Sequence, residues 1–351
     1  MPAEWEPHAA TWIAWPHNRS DWPGKFAAIP WVYAEIVRHL ARMERVGIIV
    51  ANAAGRRGAL KVLTDSGANT AAVDFYFWPT NRGWTRDCGP IFVVSESHAK
   101  KPLAITNWRF NAWAKYTDWQ KDATIAGKVA RRLRLQEWQP VATVNGRLRR
   151  VVLEGGSIDV NGRGTMLTTE ECLLSATQQR NPGLGRAELE RVFADYLGAR
   201  RVIWLGRGIA GDDTHGHVDD IARFVGPDTV VACVEPNPSD PNHEPLAENL
   251  ARLRAARDQN GAPLRMVELP MPEPVIFRAQ RLPASYANFY IANRIVLVPT
   301  FNYANDRRAL EILASLFPHR EVVGIHCGDL VWGLGTLHCM TQQQPAVPAS
   351  L

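Results

Sequence analysis

Apolar positions along the chain follow two rhythms that alternate from end to end. Ile36, Val37, Leu40 and Met43 share one helical face within 29–44, and 186–197 has the same spacing, so both predict amphipathic helices. Between the helices lie short runs rich in Val, Ile and aromatic residues. Those at 11–16, 46–50, 73–78, 91–94, 202–205, 229–234, 265–269 and 322–326 predict strands. Further helices are expected over 58–66, 117–135, 246–256 and 307–317, and one long strand over 289–298. A strand over 151–160 breaks at Gly155-Gly156, and Asn161-Gly162 then predicts a hairpin into 165–168. Strands and helices alternate at a repeat of roughly 60 to 70 residues, often with two or more strands per helix. That rhythm predicts an α/β fold of small repeated sheets with outer helices, packed radially.

Composition narrows the class. The chain has 351 residues, 46% hydrophobic and 21% charged, which suits a globular protein with a large core. Pro and Gly are spread without a linker-like run, so one domain over 1–351 is expected. The opening residues carry neither a basic segment nor an apolar one, and no apolar stretch is long enough to cross a bilayer; a cytoplasmic protein with no membrane partner is expected. Five widely spaced cysteines, with no CxxC pair, argue against a disulfide framework and a zinc knuckle. A net charge of +5 raises the question of an anionic partner. The densest basic groups, Arg131-Arg132-Leu133-Arg134 and Arg147-Leu148-Arg149-Arg150, accompany no nucleic-acid-binding motif and read as solvated surface, so no nucleic acid is expected.

Candidate chemistry is concentrated in four stretches. Near the end, Gly333-Leu334-Gly335-Thr336-Leu337-His338-Cys339 surrounds one cysteine with glycines and small residues, a setting that displays a nucleophile. Upstream, 211–220 is the densest polar cluster; if extended, it places His215, His217 and Asp219 on one face. In Trp84-Thr85-Arg86-Asp87-Cys88-Gly89-Pro90, the Arg-Asp pair is either a ligand-binding carboxylate or an ion pair that ties down a turn. Glu154 stands where a strand meets Gly155-Gly156, directed into a cavity or bound by nearby amides. Trp5, Trp12, Trp15 and Trp22 crowd the opening; aromatic faces of this kind pack in a core or wall a site for an organic cation.

Together these parts suggest covalent catalysis on a cation. Cysteine and histidine are the minimum for thiolate attack with proton transfer. The three acids Asp87, Glu154 and Asp219 would raise a thiol's pKa, which makes sense if the substrate is itself positive. A guanidinium is planar, stays charged and pairs bidentately with carboxylates. Attack by the thiolate, loss of ammonia assisted by His217 and hydrolysis of a thiouronium intermediate would yield a ureido group without a metal or cofactor. The rival reading takes His215, His217 and Asp219 as ligands of a metal hydrolase, and leaves the cysteine stretch unexplained.

Several segments also resemble the agmatine deiminase family of guanidine-modifying enzymes, to which the bacterial-type peptidylarginine deiminases belong. They are residues 1–8, 84–90, Leu153-Glu154-Gly155-Gly156-Ser157, 168–174, Gly216-His217-Val218-Asp219, Tyr286-Ala287-Asn288-Phe289-Tyr290 and 338–345, in the family's order. The resemblance implies a pentein fold, a pseudo-fivefold α/β propeller of ββαβ-like modules, and hydrolysis of agmatine to N-carbamoylputrescine and ammonia. It further implies Cys339 as nucleophile, His217 as general acid and base, and Asp87 and Asp219 as guanidinium carboxylates, with Glu154 and Trp84 as further substrate contacts. No cofactor and no metal are implied, and a homodimer is the assembly it suggests. Two departures are His215, where the family usually has Asn or Asp, and Gly333-Leu334-Gly335-Thr336-Leu337, where a Gly-Gly-Gly-Asn-Ile-like approach is usual. Both bear on the far end of the pocket, so arginine, peptidyl-arginine or a methylated arginine are alternative substrates.

Overall fold

A computed structural model describes residues 1–95 and 102–347. It contains five sheets built to one pairing scheme. In each, a central strand pairs antiparallel with one neighbour and parallel with another. The first sheet centres on His8–Ala14, antiparallel to Gln342–Pro345 and parallel to Arg45–Val50, with Val73–Phe77 beyond. Leu103–Thr106 lies between Ile91–Val94 and Gln136–Trp138, and Thr165–Thr169 between Asp159–Val160 and Arg201–Leu205. Thr229–Val234 lies between Ala222–Phe224 and Arg265–Pro270, and Ile295–Thr300 between Tyr290–Ala292 and Glu321–His326.

The parallel pairs require crossovers, and helices supply them. These are Ile29–Leu40 and Ala53–Asp65 in the first sheet, and Ile125–Leu133, Arg186–Leu197, His243–Ala255 and Asn305–Leu316 in the other four. Arg186–Leu197 shows why such segments form. Leu189, Val192, Phe193 and Leu197 are buried on one face, and the Glu188 carboxylate accepts from the Gly185 amide at 3.1 Å. Gly198, at φ 70°, stops the helix in a left-handed cap. The central strands, flanked on both sides, are almost wholly buried, as Ile295–Thr300 illustrates. No helix among the described residues is long and apolar enough to cross a membrane.

Several expectations are corrected. The helix expected over 117–135 shrinks to Ile125–Leu133, because the polar residues before it bind elsewhere. Asp122 accepts from the Asn81 and Arg82 amides, and Asp118 pairs with Arg82. The strand expected over 289–298 is a hairpin; Asn293 bonds the His8 backbone and the Glu44 carboxylate, and Arg294 turns at φ 59°. Within 151–160, Gly155–Ser157 forms a 3-10 turn and only Asp159–Val160 pairs as strand. The hairpin at Asn161-Gly162 is present with a loop of 161–164, longer than two residues because the Asn161 side chain accepts from the Arg163 and Thr165 amides. Finally, 211–220 is not extended: Val218–Asp220 is a 3-10 turn, so His215 does not share a face with His217 and Asp219.

Candidate active site

One connection from each sheet contributes to a single cluster. Each contributing residue stands just before the outer antiparallel strand of its sheet: Asp87 before Ile91–Val94, Glu154 before Asp159–Val160, Asp219 before Ala222–Phe224, Asn288 before Tyr290–Ala292, and Cys339 before Gln342–Pro345. A repeated backbone plan thus brings residues far apart in sequence to one place. All five are buried.

Cys339 is held by its neighbours on both sides. The Asn288 Nδ2 stands 3.1 Å from Sγ, while the Asn288 Oδ1 accepts from the His338 amide at 3.0 Å and the Thr336 hydroxyl at 2.9 Å. The Asp219 Oδ2 lies 3.7 Å from Sγ and 2.7 Å from the His338 Nδ1. Burial, then Asp219, Asp220 and Asp87, push the Cys339 thiol well above its ordinary value, so it carries its proton in the ligand-free site. Gly335 leaves the approach open: a Cβ there would stand 2.9 Å from the Trp84 ring and 3.2 Å from Sγ.

His217 sits among carboxylates without a hydrogen bond to any of them. Its Nδ1 is 3.9 Å from the Asp87 Oδ1 and 4.0 Å from the Asp219 Oδ1, and its Nε2 is 3.9 Å from the Glu154 Oε2. Burial opposes its charge, yet Asp87, Cys172 and Glu154 outweigh burial and raise it well above the usual imidazole value. A Cβ on Gly156 would fall 2.5 Å from the His217 Nδ1, so only glycine permits this approach.

The acids differ in how they are satisfied. Glu154 is paired with Arg180 at 3.1 Å; burial raises its pKa, but Arg180 and His217 prevail and hold it down to about 2. Asp87 accepts from the Gly156 amide at 3.0 Å and the Trp113 Nε1 at 2.9 Å, and burial, with Asp219 and Glu154 nearby, pushes it up to about 6. The Trp113 indole is presented by left-handed backbone at Ala112, Trp113 and Ala114, which costs roughly 1–2 kcal/mol per residue. One oxygen each on Glu154 and Asp219, and both nitrogens of His217, remain buried with no hydrogen-bond partner among the described residues. Buried polar atoms are rarely left so. The two carboxylate oxygens are acceptors left free for a donating ligand.

A cavity of about 290 Å³ leads outward from Cys339 and Asp87, walled by Trp84, Trp113 and Leu334. Its lining also includes Asp21, paired with Arg82, and Asp213, paired with Lys115 and Tyr116. The Asp21 Oδ2 is buried without a partner among the described residues, and burial raises this carboxyl to about 6. Of the four tryptophans that crowd the opening of the chain, Trp22 packs against Trp84, their ring centroids 5.5 Å apart.

The structure therefore brings together Cys339, His217, Asp219, Asp87, Glu154 and Trp84, all anticipated. His215 is elsewhere: its Nε2 is 3.2 Å from the Ser175 hydroxyl and its Nδ1 3.8 Å from Glu171. It lies at φ 65°, a left-handed conformation that Asn and Asp adopt readily, which accounts for the residues usual there. The metal set His215, His217 and Asp219 does not assemble; among the described residues, the donor atoms lying within 4.8 Å of one another belong to Glu154, Cys172 and His217. Arg86 does not pair with Asp87 but with Glu4 at 3.1 Å, and Glu4 also binds Arg223 at 2.9 Å and His338 at 2.8 Å. Arg180 and Trp113 carry no local sequence signal that distinguishes them, and Glu4 lies in the segment 1–8 without a role read for it.

A thiol, an imidazole and buried carboxylates, carried on connections of five like-built sheets, define a guanidine-modifying class of site. The family model of the Porphyromonas-type peptidyl-arginine deiminases matches residues 1–345, and the chain belongs to that family. It is 35% identical to an agmatine deiminase of Medicago truncatula over 99% of this chain and 96% of that one. Among solved structures it resembles the agmatine deiminase of Enterococcus faecalis, with TM-score 0.88, 30% identity and coverage of 98% and 95% of the two chains. It also resembles an agmatine deiminase of C. jejuni with substrate bound, with TM-score 0.84, 28% identity and coverage of 98% and 95%.

Proposed function

We propose that the protein is a hydrolase of linear amidines that converts agmatine and water to N-carbamoylputrescine and ammonia. The observation that carries this reading is the pair of unpartnered buried oxygens on Glu154 and Asp219, with the other Asp219 oxygen 3.7 Å from the Cys339 sulfur. Agmatine's guanidinium would donate to those oxygens and to Asp87, and place its central carbon over Sγ. The cation's charge offsets the carboxylates that hold the thiol protonated, and the thiol proton passes to solvent as the cation settles. The thiolate adds to the central carbon, and His217, charged at rest, gives a proton to the departing nitrogen, which leaves as ammonia. The neutral imidazole then takes a proton from water, whose oxygen adds to the thiouronium carbon; collapse expels the thiol and leaves the ureido product.

The choice of agmatine rests on the lining of the cavity. Asp21 and Asp213 suit a terminal ammonium and oppose the carboxylate of free arginine, while Trp84 and Trp113 flank a path for a thin methylene chain. The radial, pentein-type arrangement of the five sheets belongs to the same reading. It is supported by the shared pairing scheme and by the equivalent position of the five site residues. A cytoplasmic homodimer completes it.

A panel of agmatine, arginine, Nω-methylarginine and an arginyl peptide, assayed by ammonia release, tests the substrate. Agmatine should lead in kcat/KM by at least about tenfold, the worth of one charged contact. An equal or better rate with arginine or the peptide would replace agmatine with that substrate while leaving the chemistry intact.

A further inference from the structure

Behind the Glu154–Arg180 pair lies a second cavity, of about 610 Å³, separate in its lining from the one that reaches Cys339. Four guanidinium groups border it, those of Arg109, Arg149, Arg150 and Arg180, over an apolar floor that includes Val152 and Leu184. No acid lines it among the described residues. Arg180 is fully engaged: Nε binds Glu154, Nη1 the Gln178 carbonyl at 2.9 Å and Nη2 the Thr214 carbonyl.

The other three differ. Among the described residues, Arg109 and Arg149 make no hydrogen bond or ion pair through their guanidinium groups, and Arg109 lies 6.0 Å from the Trp119 ring. Arg150 gives Nη2 to the Asn107 carbonyl at 2.6 Å, but its Nε is buried without a partner there. Burial and the field of Arg109 both disfavour the Arg150 charge, against an opposing pull from Glu137. Glu137 forms no ion pair with the group, and its Oε1 accepts from Asn107 at 2.7 Å and Gln139 at 3.2 Å. The basic run Arg147-Leu148-Arg149-Arg150, expected as solvated surface, is exposed at Arg147, Leu148 and Arg149 and half-buried at Arg150, and its last two residues border the cleft.

Like charges collected around an apolar floor repel, and a counter-charge supplied from outside removes the penalty. Guanidinium forks match the paired oxygens of phosphate and carboxylate groups. We propose that this cleft is a binding site for a small polyanion carrying phosphate or carboxylate groups, held by Arg109, Arg149 and Arg150. The site is independent of the reaction assigned to the Cys339 cavity, and its test does not use turnover.

Titration calorimetry at fixed pH and ionic strength, with inorganic pyrophosphate and with citrate in separate runs, tests it on the full chain and on an Arg109→Gln/Arg149→Gln variant. Neither guanidinium makes a hydrogen bond or ion pair to another described residue, and Arg109 only approaches the Trp119 ring at 6.0 Å, so the variant should keep its circular dichroism spectrum and nearly its melting temperature. At least one anion should bind saturably at one per chain and bind at least tenfold more weakly to the variant. Pyrophosphate alone would identify a phosphate-bearing ligand, citrate alone a carboxylate-bearing one. Heats of dilution only from both anions, or equal affinity for the two proteins, would overturn the proposal.

Discussion

The Asn288 side-chain amide stands 3.1 Å from the Cys339 sulfur and accepts from the amide of the residue before it, His338, at 3.0 Å. One residue thus sets the loop that carries the sulfur and supplies a donor to it. A hydrogen bond to a charged group is worth about 1.5–3 kcal/mol, and this one gains most when the sulfur is a thiolate. Asn288→Ala should therefore lower kcat by roughly 10- to 100-fold with a smaller change in KM. Steady-state kinetics on the folded variant would decide it; an unchanged kcat would remove Asn288 from the account.

The ligand-free thiol is predicted to be sluggish. Because burial and three aspartates raise the Cys339 pKa well above its ordinary value, the reactive thiolate is scarce at neutral pH and grows as pH rises. Alkylation of Cys339 by iodoacetamide, followed by peptide mass, should be at least about tenfold slower at pH 7 than that of free cysteine and still climbing above pH 9. A plateau reached below pH 8 would contradict the carboxylates' effect on the sulfur. Asp87 adds an acid limb: with its carboxyl pushed up to about 6, kcat/KM should fall as pH drops below that value, because the protonated form cannot pair with a guanidinium.

Arg180 should matter for folding as well as for the site. Both members of its pair with Glu154 are wholly buried, and removing one partner of a buried pair costs about 3–5 kcal/mol. Glu154 has a folded pKa of about 2, below its unfolded value of 4.5, so its contribution is fully present above 4.5 and is lost as pH falls towards 2. Arg180→Met should thus be markedly less stable at pH 7, with the gap to wild type narrowing in acid. Chemical denaturation at pH 7 and pH 3.5 measures both; a gap independent of pH would assign the loss to packing alone.

Much of this site is legible in the sequence, and the reason is local. Cys339, His217 and Asp219 sit in short polar stretches bounded by apolar runs, and the glycines near them keep space clear, Gly156 admitting the imidazole and Gly335 leaving room beside the sulfur. The helix Arg186–Leu197 is equally plain, since one apolar stripe and a glycine stop define it. What the sequence does not announce depends on partners remote along the chain. Glu4 meets Arg86, Arg223 and His338 only because separate sheets converge, and no spacing signals that. The helix expected over 117–135 fails for the same reason, its early residues being claimed by the backbone at Asn81 and Arg82.

Asp21 should govern which tail the substrate carries. Its buried Oδ2 is unpartnered among the described residues, and Asp21 lines the cavity where a terminal ammonium would reach it. Asp21→Asn should raise KM for agmatine by roughly tenfold, leave kcat nearly unchanged and narrow the preference over arginine. An unchanged ratio of agmatine to arginine kcat/KM would move tail recognition to Asp213 or elsewhere.

The most direct test of the central claim is to incubate the purified protein with agmatine in the presence of EDTA and assay ammonia and N-carbamoylputrescine together, with Cys339→Ser alongside. The account predicts equal amounts of the two products from the wild type and neither from the variant. Urea in place of ammonia, or turnover surviving in Cys339→Ser, would contradict it.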